Sequence, residues 1–316
     1  MRAAWDEMHL RQDIVTPALG AVKGAGHNAP VPTPLTAAFV EREYNNRALV
    51  PDYAAYFARW QRDSEFVRAT LSGEIDRAYG ADPRHRMDFF PAAHARGTLV
   101  FLHGGYWRSL DKDMFSWLAA AWVAAGLNVA LPNYRLAPAV RIDDIVDDAI
   151  AAANWLLAAP ESPLAGKPGG ERVVVSGHSA GGHLTAALFA APAKALRFDP
   201  ARIVGGVPFS GVFDFAPLKL FAFNADYQLD DDDVARLGLL DKRPTLAAPL
   251  VVAAGAAESS EFQRQSRALA ESWSPQAHPA LLLPGLNHFS IVDAFCERGQ
   301  PLYEETLKLF DAPSVR

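Results

Sequence analysis

The chain has 316 residues, half of them hydrophobic and about a fifth charged, which excludes a disordered, collagen-like or coiled-coil protein. Thirty-six acidic residues against 30 basic ones give a formal charge of -6, and without a Lys/Arg stripe we expect no nucleic acid partner. The single cysteine, Cys296, excludes an internal disulfide and a thiolate metal site, and we interpret it as a small buried residue.

Targeting and membrane signals are missing from the sequence. The first 20 residues carry five charged side chains and no apolar core of a signal peptide. No stretch reaches the roughly 20 apolar residues of a membrane span. We therefore expect a soluble, cytoplasmic protein without a membrane partner, and the sequence leaves both a monomer and a homodimer open.

The N-terminal quarter differs from the rest of the chain in its composition and periodicity. Residues 14–36 are rich in proline and glycine without any periodicity, which predicts a loop or arm. Residues 37–80 carry aromatic side chains at helical spacing and are predicted to be helical and packed on the main body as core. These aromatic residues are Tyr53, Tyr56, Phe57 and Trp60. We predict an N-terminal arm and helical extension over residues 1–80, and a single folding unit over residues 81–316.

From Met87 onward, short β-rich runs alternate with longer helical patterns. This alternation predicts an α/β fold with a mostly parallel, doubly wound sheet covered by helices on both faces. The predicted strands cover residues 87–90, 98–103, 128–131, 172–176, 203–208, 250–254 and 280–283. The predicted helices cover residues 113–125, 143–158, 180–190, 260–273 and 302–310, and Asp113, Asp143 and Ser260 lie near helix starts.

The strongest chemical signal is Gly177-His178-Ser179-Ala180-Gly181, between a predicted strand and a predicted helix. A turn this sharp needs glycine on both sides of the serine, and it presents the serine hydroxyl at the start of the helix. We interpret the motif as a nucleophile elbow with Ser179 as the nucleophile.

A serine nucleophile needs a histidine base, which in this arrangement follows it in the chain. His288 lies in a turn-rich loop directly after the last predicted strand, where the base is expected. His278 precedes that strand at the opposite end and is interpreted as solvent-exposed.

The carboxylate that orients the base is expected after the strand at residues 250–254. Glu258 lies in the loop itself and is favoured. Glu261 falls in the first turn of the next helix, where the helix dipole alone explains a carboxylate. Asp214, after the preceding strand, stays a third candidate whose alternative role is a turn or cap.

An oxyanion formed during acyl transfer needs backbone N–H donors from the residue after the nucleophile and from the loop after an earlier strand. That loop begins His103-Gly104-Gly105. We predict Gly104, Gly105 and Ala180 as donors, and we interpret His103 as a structural residue of its own loop.

These motifs resemble one known family. They are HGGYW at residues 103–107, GHSAGGHL at the elbow, the segment that begins at Glu258 and the loop around His288. From about residue 85 to 310, the chain is similar to the arylformamidase (kynurenine formamidase) branch of the α/β-hydrolases. The resemblance implies the α/β-hydrolase fold, an oxyanion hole in HGGxW and an acid at the position of Glu258. Animal members usually carry aspartate there, so the glutamate is a departure.

The tract Tyr134-Arg135-Leu136-Ala137-Pro138 resembles an element of the neighbouring hormone-sensitive-lipase-like esterases, and we interpret Tyr134 and Arg135 as scaffold. Those esterases carry HGGG, whereas this chain has Tyr106 and Trp107 after the two glycines, which favours the formamidase branch. Aromatic side chains near the motifs are candidate substrate contacts, with core packing as the alternative. They are Tyr106, Trp107, Phe213, Phe215, Phe221 and Phe289.

The sequence predicts no metal and no cofactor. Asp230 to Asp233 lack the spacing of a calcium loop and are interpreted as a solvated helix start. We therefore predict a metal-independent serine hydrolase that acts on a small-molecule ester or aryl formamide, with N-formyl-L-kynurenine as the substrate that the resemblance implies. A general short-chain carboxylesterase and a non-catalytic ligand-binding protein on the same fold stay open as alternatives.

Overall fold

A computed structural model describes residues 35–311. The predicted loop or arm lies mainly outside the described residues. An eight-stranded sheet forms the centre, in the order β1-β2-β4-β3-β5-β6-β7-β8. The strands are β1 (Glu74–Ala78), β2 (Arg86–Phe90), β3 (Gly97–Leu102), β4 (Leu127–Pro132), β5 (Val173–His178), β6 (Ile203–Phe209), β7 (Ala253–Gly255) and β8 (Leu281–Leu283).

The sheet is parallel except at one edge, where β2 runs antiparallel to both β1 and β4. The helices are α1 (Ala37–Tyr44), α2 (Asn46–Leu49), α3 (Tyr53–Thr70), α4 (Leu118–Ala124), α5 (Ile142–Ala158), α6 (Ala180–Phe189), α7 (Asn224–Tyr227), α8 (Asp231–Leu237), α9 (Ser260–Ser272), α10 (Ser290–Cys296) and α11 (Pro301–Asp311). The predicted fold class, a mostly parallel sheet with helices, is confirmed.

The sheet separates two hydrophobic cores. Alternate side chains of β3 and β5 enter opposite cores: Val100 and Val175 pack on one side, Leu99 and Val174 on the other. This is the period of two that a strand imposes, and it explains why both strands are nearly continuous in apolar residues. The loops with the predicted catalytic residues follow the carboxyl ends of β5, β7 and β8.

Three predicted elements differ from the structure. Residues 74–78 were assigned to the helical extension but form the edge strand β1. Its charged sequence hides the strand pattern, and charges are usual on an exposed edge strand. The helix expected over residues 113–125 is instead a 3-10 turn at Lys112–Phe115 followed by α4. Asp111, not Asp113, caps that turn by accepting from the Asp113 N–H at 3.1 Å.

The strand expected over residues 250–254 is also shorter than predicted. Leu250 makes only isolated bridges to its neighbours, and β7 begins at Ala253. Helix α9 begins at Ser260 as expected, although the residue at its N-cap is Ser259. Within residues 35–311, no helix combines the length and the apolar character that crossing a membrane requires.

Helices α1, α2 and α3, called here the N-terminal helices, dock on the main body through buried polar contacts. The Tyr44 hydroxyl donates to Glu261 Oε2 at 2.8 Å, and Gln265 of the same helix α9 donates to the Tyr44 hydroxyl. Ser260 donates to Glu43 at 2.7 Å. These bonds fix the end of α1 beside the loops at the carboxyl edge of the sheet.

Candidate active site

Ser179 stands at the turn between β5 and α6. Its backbone is strained, with φ 57° and ψ -118°, as a nucleophile elbow requires. A Cβ on Gly177 would come within 2.1 Å of the Gly181 carbonyl oxygen, and one on Gly181 within 1.9 Å of the Leu102 carbonyl oxygen. Both glycines of the motif are therefore required by the close packing of this turn.

His288 and Glu258 meet on the neighbouring loops. His288 Nδ1 lies 2.7 Å from Glu258 Oε2, and both side chains are buried. Because a carboxylate accepts, Nδ1 carries the proton and Nε2 is the nitrogen that can act as a base. Among residues 35–311, neither His288 Nε2 nor the Ser179 hydroxyl has a hydrogen-bond partner. The catalytic hydrogen bond between a serine and its base can tighten once substrate is bound.

Glu258 is held in place by two further donors. Its Oε1 accepts from the Ser210 hydroxyl and from the Gly255 N–H, each at 2.6 Å. Gly255 ends β7, and a Cβ there would lie 2.0 Å from the Leu286 carbonyl oxygen. The acid is thus anchored to the ends of two strands, which fixes the oxygen that faces His288.

The two other candidate acids form hydrogen bonds with residues other than His288. Asp214 accepts from Arg264 at 2.9 Å, and Glu261 accepts from Arg264 and from Tyr44. Of the three candidates, Glu258 is the one that contacts His288. His278 is solvent-exposed, as expected.

The loop after β3 contains Gly104 and Gly105, two of the predicted oxyanion donors. Gly105 has φ +118°, and a Cβ there would lie 2.1 Å from the Ser109 carbonyl oxygen. Gly104 lies against the elbow, since a Cβ on it would be 3.2 Å from Ser179 Cβ. The Ala180 N–H belongs to the first turn of α6, whose N–H groups have no partner inside the helix. The loop and the elbow therefore bring these backbone groups close to Ser179.

His103 serves its own loop, as the sequence indicated. Its ring nitrogens lie 2.7 Å from the Gly104 carbonyl oxygen and 3.0 Å from Asn133 Oδ1. The Tyr134 hydroxyl donates to the His103 carbonyl at 2.6 Å, and Arg135 is paired with Asp148 at 2.7 Å. Burial lowers the pKa of His103 to about 4. All of these contacts are structural, including those of the two scaffold residues.

Residue His178, inside the motif, has a position that the sequence did not reveal. Its Nε2 lies 2.8 Å from the His288 carbonyl oxygen and donates to it. Burial, together with the nearby His288, holds the pKa of His178 well below its usual range. His178 is therefore a neutral donor that ties the elbow to the loop of the base.

Ser179 and His288 line one cavity of about 250 Å³, near the lower end of ligand pockets. Gly104, Gly105, Tyr106 and Phe289 also line it. The N-terminal helices supply much of the remaining wall, although their aromatic residues were interpreted as core. The other residues that line the cavity are Tyr44, Asn45, Asn46, Arg47, Phe57, Trp60, Arg108, Ser109, Leu110, Phe115, His178, Phe221 and Phe223.

Three predicted substrate contacts, Trp107, Phe213 and Phe215, do not line the cavity, and Phe215 is fully buried. Trp107 is fully buried and packs against His183, Phe215 and Tyr227. Phe213 is fully buried, and its N–H donates to Gln265 at 2.6 Å. All three side chains belong to the core. The backbone has positive φ at Tyr106 and again at Trp107, and this tight turn places only the first ring on the cavity wall.

Tyr106 connects the oxyanion loop to its surroundings. Its hydroxyl donates to the Tyr44 carbonyl at 2.5 Å, and its own carbonyl accepts from the Tyr227 hydroxyl at 2.6 Å. The first bond holds the ring against the end of α1, and the second holds the main chain of the loop against helix α7. The ring of Tyr106 is therefore fixed at the cavity wall.

Three carboxylates lie close enough to hold a metal ion, Asp76, Asp88 and Asp113. Lys112 already lies among them, with Nζ at 2.6 Å from Asp76, 3.0 Å from Asp88 and 2.6 Å from Asp113. Arg68 contacts Asp88 and Asp113 as well. The two cations compensate this cluster, which lies apart from the described cavity lining.

The run Asp230 to Asp233 forms a helix start, as expected. Asp230 Oδ1 accepts from the Asp233 N–H at 2.8 Å and caps α8. The run is not solvated throughout, because Asp233 is buried between Arg141 and Arg236. Cys296 is half-buried, and burial raises the pKa of its thiol.

Comparison with known proteins shows the family to which the chain belongs. The family profile for the alpha/beta hydrolase fold matches residues 99–262, just over half of the chain. A kynurenine formamidase of Danio rerio is 24% identical over 274 residues, which are 81% of this chain and 88% of that protein. One of Drosophila melanogaster is 26% identical over 240 residues, 69% of this chain and 76% of that protein.

A similar solved structure comes from Silicibacter sp. TM1040 and was assigned there as a thioesterase. It superposes with a TM-score of 0.74 at 29% identity, and the match covers 86% of this chain and 98% of that one. The family profile match includes Ser179 and Glu258.

Proposed function

Because the chain belongs to the α/β-hydrolase family, in its arylformamidase-like branch, we propose that it is a serine hydrolase that cleaves a small aryl formamide such as N-formylkynurenine. Ser179 is the nucleophile, His288 the general base and Glu258 the acid that orients it. The N–H groups of Gly104, Gly105 and Ala180 stabilise the oxyanion. The reaction requires no metal or cofactor.

The single observation that carries the proposal is the contact between Glu258 and His288, because His288 lines the same cavity as Ser179. Glu258 holds the Nδ1 proton, so Nε2 of His288 can remove the proton from the Ser179 hydroxyl. The serine oxygen then attacks the formyl carbon, and the negative charge moves to the carbonyl oxygen, which the N–H groups bind.

The attack forms a tetrahedral intermediate. Its collapse releases the arylamine, which takes the proton from His288. The formyl group stays on Ser179 as an ester. Water then attacks that ester, again with His288 as the base, and releases formate. Each step uses the same three side chains and the same oxyanion donors.

A short-chain carboxylesterase is the second candidate, because the same residues would cleave an ester by the same route. The cavity size favours a small acyl group in either case. What separates the two candidates is whether the leaving group is an arylamine or an alcohol, and fold similarity does not transfer that preference.

A hydrolysis screen tests the proposal. It compares N-formylkynurenine with p-nitrophenyl acetate, butyrate and octanoate, with and without a chelator. We expect N-formylkynurenine to be cleaved at least as well as the best ester, with no effect of the chelator. Cleavage of esters alone would establish the esterase, and no cleavage of any of them would favour a ligand-binding protein. Loss of activity on chelation and its return with zinc would contradict a metal-independent reaction.

A further inference from the structure

The cavity that contains Ser179 is lined by positive charge. Two arginines, Arg47 and Arg108, belong to its wall, and none of the lining residues in the described part of the chain is an aspartate or glutamate. The chain as a whole has a formal charge of -6. A cavity lined by one sign of charge attracts ligands of the other sign, so this arrangement is suited to an anion.

Arg108 is already compensated. Its guanidinium lies 2.5 Å from the Asp226 carboxylate and 4.3 Å from the centre of the Phe223 ring. Its charge is therefore largely cancelled, and both contacts hold its side chain against the cavity wall.

Arg47 has no carboxylate partner within residues 35–311. Its guanidinium carbon lies 5.4 Å from the ring centre of Tyr53 and 5.6 Å from that of Phe57. Such contacts hold an arginine in place without neutralising it. Arg47 is thus the uncompensated positive charge on the described cavity wall.

The aromatic rings that contact Arg47 belong to a row of rings that extends to the proposed base, His288. Phe57 lies 5.5 Å from Phe289 between ring centres, and Phe289 lies 5.5 Å from His288. Phe57 and Phe289 also line the cavity. Arg47 and His288 are therefore joined by one aromatic wall, along which an aryl group can lie.

We propose that Arg47 binds a carboxylate on the leaving group of the substrate, so that the enzyme is selective for aryl formamides or esters that carry a carboxylate. This inference rests on the proposed function. A formyl or acetyl group carries no carboxylate. The carboxylate must therefore belong to the leaving group. The planar guanidinium matches a carboxylate with two parallel hydrogen bonds.

The test compares phenyl acetate with 3-carboxyphenyl acetate, which differ by the carboxylate alone. For Arg47→Gln we expect the KM of the carboxylate ester to rise about 5- to 10-fold, as for a partly exposed charge pair. Its kcat should stay nearly constant, because the carboxylate is bound equally before and during the reaction. The KM of phenyl acetate should change less than about twofold, within the range of a neutral surface substitution.

Arg47→Lys should restore part of the preference, since lysine keeps the charge but not the fork of donors. The control is Arg42→Gln, an exposed arginine of the same segment that does not line the cavity; it should behave like the unchanged protein. A further measurement needs no variant: raising NaCl from 0.05 to 0.5 M should increase the KM of the carboxylate ester alone.

The outcomes separate this inference from the proposed function. If neither ester nor N-formylkynurenine is cleaved, the serine hydrolase proposal fails, and this inference fails with it. If phenyl acetate is cleaved but Arg47→Gln and salt leave the ratio of the two esters unchanged, Arg47 does not bind the carboxylate, while the hydrolase proposal stands. If Arg108→Gln removes the preference and Arg47→Gln does not, the assignment to Arg47 is wrong.

Discussion

His178 Nε2 donates a hydrogen bond of 2.8 Å to the main-chain carbonyl of His288, and the two rings lie 4.6 Å apart between centres. The residue just before the nucleophile therefore holds the backbone of the proposed base. Since the pKa of His178 is well below its usual range, this donor stays neutral whenever the protein is folded at ordinary pH.

Replacing His178 by phenylalanine keeps a ring of similar size and removes the donor. We expect kcat to fall about 10-fold, the cost of one buried hydrogen bond that positions the base, with little change in KM. His178→Gln, whose amide N–H can donate to the same carbonyl, should recover part of the rate. A normal kcat in His178→Phe, at an unchanged melting temperature, would show that the bond does not position His288.

Ser179→Ala should lower kcat by about 10⁴-fold or more, because it removes the proposed nucleophile. Covalent labelling by an organophosphonate, followed by mass spectrometry, should be lost at the same time. Ser266→Ala is a matched control, since Ser266 is buried on α9 and its hydroxyl has no partner among the described residues. Labelling that survives in Ser179→Ala and maps to another serine would exclude Ser179 as the nucleophile.

The two glutamates near the start of α9 should respond differently. Glu258→Gln keeps the shape of the acid but loses the charge that stabilises a protonated His288, so kcat should fall about 100-fold or more. Glu261→Gln weakens the contacts with Tyr44 and Arg264 instead. We expect it to reduce the free energy of unfolding by about 1–3 kcal/mol.

Steady-state kinetics and urea unfolding of both variants check this prediction. The expected pattern is a large loss of kcat with near-normal stability for Glu258→Gln, and the reverse for Glu261→Gln. The opposite pattern would move the acid from the loop into the first turn of α9.

Acid should destabilise the fold through buried histidines. Burial lowers the pKa of His103 and His183 to about 4 and holds that of His178 well below its usual range. In the unfolded chain these groups titrate near pH 6.5. Below that pH the unfolded state binds protons that the folded state does not. The free energy of unfolding should therefore fall from about pH 6.5 towards pH 4, by as much as about 4 kcal/mol per pH unit.

Urea unfolding between pH 4.5 and 7.5 measures this slope. His183 donates to the Leu237 carbonyl at 3.1 Å, and His183→Gln can keep that bond without titrating. We expect this variant to lose about one third of the slope, since one of three groups is gone. A free energy of unfolding that does not vary between pH 5 and 6.5 would contradict the prediction.

The rings of Tyr106 and Trp107 should have different roles, although they are neighbours in the chain. Turnover should fall steeply from acetyl to octanoyl esters, because the bulk of the Tyr106 ring lines the cavity beside the oxyanion loop. Tyr106→Ala should relax this selectivity, whereas Tyr106→Phe, which keeps the ring and loses the bond to Tyr44, should not. Trp107→Ala should cost about 3–5 kcal/mol of stability, as expected for a large core side chain.

Relative kcat/KM values for the acyl series and melting temperatures of the three variants provide the check. If the octanoyl ester is the best substrate of the unchanged protein, the ring of Tyr106 does not limit the acyl group. If Trp107→Ala broadens the acyl range at full stability, its ring lies on the substrate side after all.

The sequence predicted the parts of the site that depend on local pattern. The apolar strand before Ser179, the two glycines and the helix after them specify an elbow within about a dozen residues. The sequence did not predict that Trp107 turns away from the cavity, because that depends on two successive positive φ angles. It also missed β1, whose charges resemble a helix surface, and the contribution of Arg47 and Phe57 to the cavity wall.

The cavity wall that Arg47 and Phe57 form depends on contacts between distant parts of the chain. The N-terminal helices can therefore dock only after the C-terminal part of the chain has been synthesised. Tyr44 binds Glu261, 217 residues later. At ribosomal rates of about 5–20 residues per second, the N-terminal helices wait about 10–40 s for their partner during synthesis. Their aromatic faces stay exposed for that time, and chaperone binding is expected there. Ser179 is synthesised before His288 and Phe289, and the pocket that these residues line is complete only when the last quarter of the chain has folded.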